Sequence, residues 1–230
     1  MKTDKVNVSI MEDHQGIIDG YLYRLNNDKT LNIAGIARYG ADLEPMLAST
    51  PTDIIILDME VQISATDTSI FPILQTIPKL IKKYPKMTIL VISMFSQIVL
   101  IERLVELGIS GYIFKNDSEA IQNLAQVIST LSQGGTYFSQ GIIPKLRSLN
   151  KQSSSSLLSP RQLEALSLCV AYPDNTTDDL AIRLGVSSST FRNTLSSAYE
   201  RLGVHTRRAA IAYFQKLGIN EPNFNRGSAG

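Results

Sequence analysis

The sequence lacks what disulfide chemistry, cysteine metal clusters and membrane insertion require. Its one cysteine, Cys169, allows neither an intrachain disulfide bond nor a cysteine metal cluster, and its position on an apolar, helix-like face predicts a buried structural thiol. No run approaches the roughly 18 to 20 apolar residues that cross a bilayer, and residues 1–13 lack the long apolar region of a signal peptide. We therefore predict a soluble, cytoplasmic protein whose chemistry uses oxygen and nitrogen groups.

Charge is unevenly divided along the chain. Residues 1–144 carry 11 Lys or Arg against 15 Asp or Glu, a net charge of −4, whereas residues 145–230 carry 11 against 6, a net charge of +5. This asymmetry indicates an acidic module joined to one that tolerates polyanions. Residues 145–160 are basic and then rich in serine, which is typical of a linker, although a long surface loop within one domain is the alternative.

In the first part of the chain, β-rich segments alternate with segments of helical length. The β-rich segments are VNVSIM, LNIAGIA, DIIILD, MTILVIS and GYIFK, at residues 6–11, 31–37, 53–58, 87–93 and 111–115. Alternation at this spacing predicts parallel strands joined by right-handed helical crossovers. We therefore predict an α/β fold with a doubly wound, five-stranded parallel sheet, whose ligands gather at the carboxyl ends of the strands.

Polar side chains stand at the ends of four of these strands. Glu12 and Asp13 follow the first strand, Asp58 ends the third, Ser93 the fourth and Lys115 the fifth. Three carboxylates at one sheet edge repel one another and resist burial, so they need a cation, and Mg²⁺ prefers such oxygen ligands. The positive charge of Lys115 and the hydroxyl group of Ser93, a hydrogen-bond donor, are both suited to binding a phosphoryl oxygen. The pattern predicts that Asp58 accepts a phosphoryl group, while Mg²⁺ and Lys115 neutralise charge.

The motifs IMEDH, DIIILD, VISM and GYIFK resemble, in this order, those of bacterial response-regulator receiver domains, over about residues 5–135. The resemblance implies a flavodoxin-like, CheY-like fold and phosphotransfer from a sensor histidine kinase to Asp58. It implies metal binding by Glu12, Asp13, Asp58 and the backbone carbonyl of Glu60. It further implies a phosphate-binding and switch set in which Ser93 moves toward the phosphoryl group and Tyr112 changes rotamer, together with Lys115.

The second part of the chain contains two capped helices joined by a glycine-containing turn. Thr176 and Asp179 have the spacing of a capping box, Gly185 lies in the turn, and another capped helix starts near residues 187–188. Such a pair predicts a helix-turn-helix, whose second helix enters the DNA major groove; an ordinary helical hairpin is the alternative. The residues predicted to contact DNA are Ser188, Ser189, Thr190, Arg192, Asn193 and Ser196.

The segments LSPRQLEAL, LAIRLGVSSSTFRNTLSSAYERLGV and RRAAIAYF resemble the LuxR-type four-helix DNA-binding domain, over about residues 157–219. With the receiver, this is the layout of the NarL/FixJ subfamily of response regulators. In that family the last helix commonly supplies a dimer interface, with core packing as the alternative role for the same positions. The dimer candidates in this sequence are Ala209, Ala210, Ile211 and Tyr213. The predicted divisions are a receiver at 1–135, a linker at 136–156, the all-α helix-turn-helix domain at 157–219 and a disordered tail at 220–230.

These patterns predict a transcription regulator, not an enzyme, that binds double-stranded DNA as a homodimer and is switched by phosphorylation of Asp58. The segment after Asp58, MEVQISATDTSIFP, is longer than in the receiver family and lacks its Met-Pro pair and glycine. One alternative is therefore an atypical receiver, whose DNA binding is controlled by a small ligand, a protein partner or constitutive dimerisation. A remote alternative is a phosphatase, because Asp58 and Glu60 resemble the acid pair of haloacid-dehalogenase-type enzymes.

Overall fold

The computed structural model of the protein describes residues 5–149, 158–202 and 204–217, without the side chains of residues 145, 147–149 and 214–217. Within these residues the first domain is a parallel sheet of six strands in the order β2-β1-β3-β4-β5-β6. The strands are β1 (Val6–Met11), β2 (Leu31–Ala37), β3 (Ile54–Leu57), β4 (Thr88–Ser93), β5 (Gly111–Phe114) and β6 (Tyr137–Phe138). The predicted parallel sheet is confirmed, but the prediction of five strands missed β6, which pairs with β5.

Helices cover both faces of the sheet, as the doubly wound prediction requires. They are α1 (Gln15–Leu25), α2 (Gly40–Ser49), α3 (Ile73–Lys83), α4 (Ile98–Glu106), α5 (Ser118–Gln122) and α6 (Leu124–Ser132). Buried side chains of α1, α5 and α6 form one core with the sheet, and those of α2, α3 and α4 form another. Because β3 lies between these two layers, all its residues are buried.

The segment predicted as a linker, residues 136–156, contains regular structure in its described part. Strand β6 extends the sheet, and helix α7 (Ile142–Leu149) follows it, with the side chain of Ile142 fully buried. Helix α7 lies against α4. The fold of the first domain therefore continues past residue 135. Residues 150–157 and the predicted tail, 220–230, lie outside the described residues.

The described part of the second domain contains four helices, as predicted. They are α8 (Pro160–Ala171), α9 (Thr177–Arg183), α10 (Ser188–Leu202) and α11 (Arg207–Leu217). Capping boxes start α8 at Ser159 and α9 at Thr176, where each side chain accepts a hydrogen bond from the backbone three residues later. Gly185 has φ +67° in the turn between α9 and α10, a conformation that favours glycine.

The cores of the two domains are continuous. Buried residues of α2, α3 and α4 belong to the same apolar cluster as those of α8, α9 and α10. At the junction, Phe95 and Leu100 of the first domain line a cavity of about 30 Å³ together with Leu168 and Leu184 of the second domain. None of the helices in the described part of the chain has the length and hydropathy of a membrane span.

Candidate phosphorylation site and nucleic-acid interface

The fold brings the predicted polar residues together at the carboxyl edge of the sheet. Glu12 follows β1, Asp58 follows β3 and Lys115 follows β5, and these three strands are close neighbours in the sheet. The Nζ of Lys115 donates to Oε2 of Glu12 at 2.8 Å and to Oδ2 of Asp58 at 2.9 Å. Glu12 and Asp58 are only 1% and 2% exposed. One ammonium group therefore forms ion pairs with two carboxylates that have almost no contact with solvent.

Burial has the largest effect on the electrostatics of this cluster, and the attraction between Lys115 and the carboxylates opposes it. Desolvation raises the pKa of Asp58 to about 7, Lys115 opposes that shift, and the charges of Glu12 and Glu60 add to it. Burial works against the charged form of Lys115, but Asp58 and Glu12 hold the pKa of its ammonium group above the usual value. The site therefore carries more negative charge than its own cation balances, which favours a further cation.

We expect Asp58 to make the stability of the metal-free protein depend on pH. The folded pKa of about 7 lies above the value of 3.8 for an unperturbed aspartate, so the folded state binds more protons between these values. Stability from this group is therefore complete below about pH 4 and is lost as the pH rises through 7. Denaturant unfolding in a chelator should show this fall, and Asp58→Asn should flatten it; an unchanged slope in that variant would contradict the assignment.

The acidic residues at the pocket have the composition of a divalent-metal site. Oxygens of Glu12 and Asp13 lie within 4.8 Å of each other and of a ring nitrogen of His14. Oδ1 of Asp58 is buried and accepts no hydrogen bond from any described residue, whereas Oδ2 is held by Lys115. A buried carboxylate oxygen without a donor is the atom that a hard cation or a phosphoryl group would satisfy.

The two predicted switch residues meet at one backbone segment. Ser93, fully buried at the end of β4, accepts a hydrogen bond from the Phe95 amide at 3.2 Å through its hydroxyl. The hydroxyl of Tyr112 points inward and donates to the Phe95 carbonyl at 2.6 Å. The side chain of Phe95 lines the junction with the second domain. A movement of Ser93 or Tyr112 would therefore act directly on that junction.

Two residues of the second domain complete the pocket, and sequence reasoning missed both. An opening of about 500 Å³ above Asp58 and Lys115 is lined by Glu60 and also by Tyr172 and Arg183. The Tyr172 hydroxyl donates a hydrogen bond to the Glu60 carboxylate. The loop after Asp58 is longer than in the receiver family, but nothing in the sequence pattern indicated a contact with Glu60 or its partner, which lies 112 residues away.

The helix predicted to read DNA presents its polar face to solvent. Phe191, Leu195 and Ala198 hold α10 in the domain core. The opposite face carries the residues predicted to contact DNA, of which Ser188 is partly buried and the others are exposed: Ser189, Thr190, Arg192, Asn193 and Ser196. The guanidinium of Arg192 lies 3.0 Å from the exposed carboxylate of Asp178 on α9, so DNA binding would exchange this weak ion pair for a phosphate or a base.

The dimer candidates on α11 divide between surface and core. Ala210 is 1% exposed and belongs to the domain core, whereas Ala209 is exposed and Ile211 and Tyr213 are partly buried. Ala210 therefore has the core role that the sequence left open as its alternative. A dimer contact through the other three stays a prediction.

The sequence is similar over both domains to curated regulators of transcription. It is 26% identical to the transcriptional regulatory protein MctR of Rhizobium johnstonii, with 94% of this chain and 95% of the relative covered. It is 24% identical to the oxygen regulatory protein NreC of Staphylococcus epidermidis, with 94% and 100% covered. No protein-family model matches the chain.

The fold is similar over the same length to the response regulator RcsB of Salmonella typhimurium. The TM-score is 0.70 at 21% identity, covering 94% of this chain and all of the RcsB chain. The chain therefore shares the two-domain fold of that protein, a parallel α/β domain followed by a helical domain. A second RcsB structure, described as bound to promoter rprA in the presence of the phosphomimetic BeF₃⁻, has a TM-score of 0.65 at 20% identity and covers 92% and 99% of the two chains. Both domains of the chain, in this order, therefore have structural counterparts in one known protein.

Proposed function

We propose that this response regulator controls transcription by binding double-stranded DNA and is switched by phosphorylation of Asp58 by a sensor histidine kinase. The observation that carries the proposal is the buried carboxylate of Asp58, which lies 2.9 Å from Lys115 beside Glu12, in a chain that also exposes the polar face of α10. The similarity to curated transcription regulators supports the role in transcription, and the geometry around Asp58 supports the transfer of a phosphoryl group to it.

Phosphotransfer needs a nucleophile, a charge partner and an oriented donor. A carboxylate oxygen of Asp58 attacks the phosphorus of a phosphohistidine, the P–N bond breaks, and the imidazole leaves with the bonding electron pair. Lys115, which already touches Asp58, stays beside the product and neutralises the added negative charge. Ser93 supplies a hydroxyl for a phosphoryl oxygen from the adjacent strand end.

The metal in this proposal is Mg²⁺, held by Asp13, Asp58 and the backbone carbonyl of Glu60, with Glu12 supporting the set. When bound, it supplies positive charge to the phosphoryl oxygens. The buried Oδ1 of Asp58, which has no hydrogen-bond partner among the described residues, supports this assignment.

The DNA-binding half of the proposal rests on α10. Its exposed hydroxyl, amide and guanidinium groups suit base edges and phosphates, and a homodimer would place two such helices on half-sites about 34 to 36 Å apart. The net charge of +5 in residues 145–230 adds an attraction to phosphates, so affinity should fall steeply as salt rises.

The proposal is tested by intact mass and DNA affinity measured on the same samples. We expect the protein with Mg²⁺ and a phosphodonor, small or kinase-bound, to gain one phosphoryl group and then to bind DNA more tightly. Asp58→Asn should gain none, while Asp42→Asn, which changes an exposed carboxylate on α2, should behave as wild type. No gain from either donor, together with unchanged salt-sensitive DNA binding, would overturn the phosphorylation switch and favour control by a ligand or a partner.

A further inference from the structure

The side chain of His14 does not serve the helix that it begins. His14 is the N-cap residue of α1, but it makes no side-chain capping hydrogen bond, a role in which Ser, Thr, Asp or Asn is usual. Its backbone is nevertheless fixed, because its carbonyl accepts hydrogen bonds from the Ile17 and Ile18 amides. The imidazole lines the opening above Asp58 and is 73% exposed. It is therefore held at the mouth of the pocket by its own backbone and is accessible to a ligand there.

The imidazole of His14 stands close to two carboxylates. Its Nδ1 lies 2.7 Å from Oδ1 of Asp13 and 3.3 Å from Oε1 of Glu12. Oδ1 of Asp13 is buried and accepts no hydrogen bond from any described residue, so a ring N–H on Nδ1 does not point at this oxygen. Two atoms that both carry lone pairs repel each other at 2.7 Å unless a positive charge lies beside them.

These distances are those between neighbouring ligands of one metal ion. Ligands about 2.1 Å from an ion and at right angles to each other lie about 3.0 Å apart, between the two distances measured from Nδ1 of His14. In such a pair the nitrogen lone pair points at the ion and past the neighbouring oxygen, as it does at Asp13. The same opening is lined by Asp58, which is 2% exposed and whose buried Oδ1 has no donor among the described residues. Asp58 thus offers a third ligand atom.

We propose that His14 is a metal ligand beside Asp13 and Asp58, and that it shifts the preference of the site from Mg²⁺ toward divalent transition-metal ions such as Ni²⁺ and Zn²⁺. Carboxylate, carbonyl and water oxygens suit Mg²⁺, whereas an imidazole nitrogen suits Fe, Ni, Cu and Zn. The inference rests on the proposed function for the position of the site and adds a ligand to it. A transition-metal ion therefore fills the pocket at concentrations too low for Mg²⁺ to do so.

Calorimetric titration of the untagged full chain, with Ni²⁺ and with Mg²⁺ separately, tests the ligand. His14→Gln should weaken Ni²⁺ binding at least tenfold and change the Mg²⁺ dissociation constant by less than about twofold. His205→Gln is the matched control and should change neither, because His205 is exposed and is the only other histidine of the chain. Equal Ni²⁺ affinity in wild type and His14→Gln would overturn the proposal and reduce the contact with Asp13 to an ordinary ion pair. An equal loss for both ions would overturn it too, since the substitution would then act on the acidic residues and not on the choice of metal.

A second measurement tests where the ion binds. In His205→Gln, His14 is the only histidine, so Ni²⁺ should shift and broaden the proton NMR signals of its ring. Excess Mg²⁺ should reverse this change, because both ions use Asp13 and Asp58. Unchanged ring signals, or Ni²⁺ that Mg²⁺ does not displace, would overturn the proposal. Neither measurement uses a phosphodonor, so failure of Asp58 to take up a phosphoryl group would contradict the proposed function alone.

Discussion

Lys115→Met should lower the free energy of unfolding by about 3 to 5 kcal/mol at pH 7 in a chelator, the usual loss when one partner of a buried ion pair is removed. Lys115 donates to both Glu12 and Asp58, and without it two nearly inaccessible carboxylates would face each other with no cation. Denaturant unfolding measures the loss. Saturating Mg²⁺ should restore part of it, because the ion replaces the missing positive charge.

The control for this prediction is Lys83→Met. Lys83 also forms an ion pair, with Glu44, but its side chain is 51% exposed. Solvent-exposed pairs contribute about 0 to 1 kcal/mol, so this variant should remain near wild type. Phosphorylation should be slowed in Lys115→Met by roughly a hundredfold or more and left unchanged in Lys83→Met. Equal stability losses in the two variants would contradict the assignment of Lys115 as the cation that holds the pocket together.

Phe191→Ala should destabilise the second domain by about 3 to 5 kcal/mol, the range for truncating a fully buried phenylalanine. The side chain of Phe191 is completely buried in α10 and belongs to the core shared with α8. Its removal leaves a cavity under the helix that carries the predicted DNA contacts, so DNA affinity should fall as well. Hydrogen exchange across residues 188–202, measured beside DNA binding, follows both effects.

The variant Arg192→Ala should weaken DNA binding without lowering the stability of the second domain. Arg192 is the next residue along α10, it is 62% exposed, and its ion pair with Asp178 lies on the surface. Stability should therefore change by less than about 0.5 kcal/mol, while DNA affinity falls and its dependence on salt becomes shallower. DNA affinity lost in Phe191→Ala but unchanged in Arg192→Ala would show that α10 is structural and that another surface reads DNA.

Much of the candidate site follows from the sequence because parallel strands end at a common edge. Asp58 and Lys115 are 57 residues apart, yet each ends a β-rich segment, and the shared direction of parallel strands predicts that they lie at the same edge of the sheet. The same reasoning did not find β6. Its two residues, Tyr137 and Phe138, are too few to show a period, and only the free edge of β5 gives them a partner.

Helix α4 shows a similar limit. Its sequence, IVLIERLVE, lies in a segment of helical length, as predicted, but it is apolar on nearly every side, so the pattern does not show which face is buried. In the fold most of its residues are buried, including Glu102, because it lies between the sheet and α7 and contributes to the core shared with the second domain. The periodicity of apolar residues describes a single helix or strand. It does not show how many other elements pack against that helix or strand in the fold.

The sequence alone determines most of the elements, their caps and the sheet edge at which the candidate site residues meet, because these depend on residues within a few positions of one another or on the shared direction of parallel strands. Ser159 and Thr176 start their helices through bonds to the backbone three residues later, and such bonds form wherever the segment lies. Tyr172 and Glu60 meet only after two domains have folded and docked, since neither residue carries a local signal for the other. Whether Glu60 hinders or regulates the pocket therefore depends on a contact that tertiary structure creates.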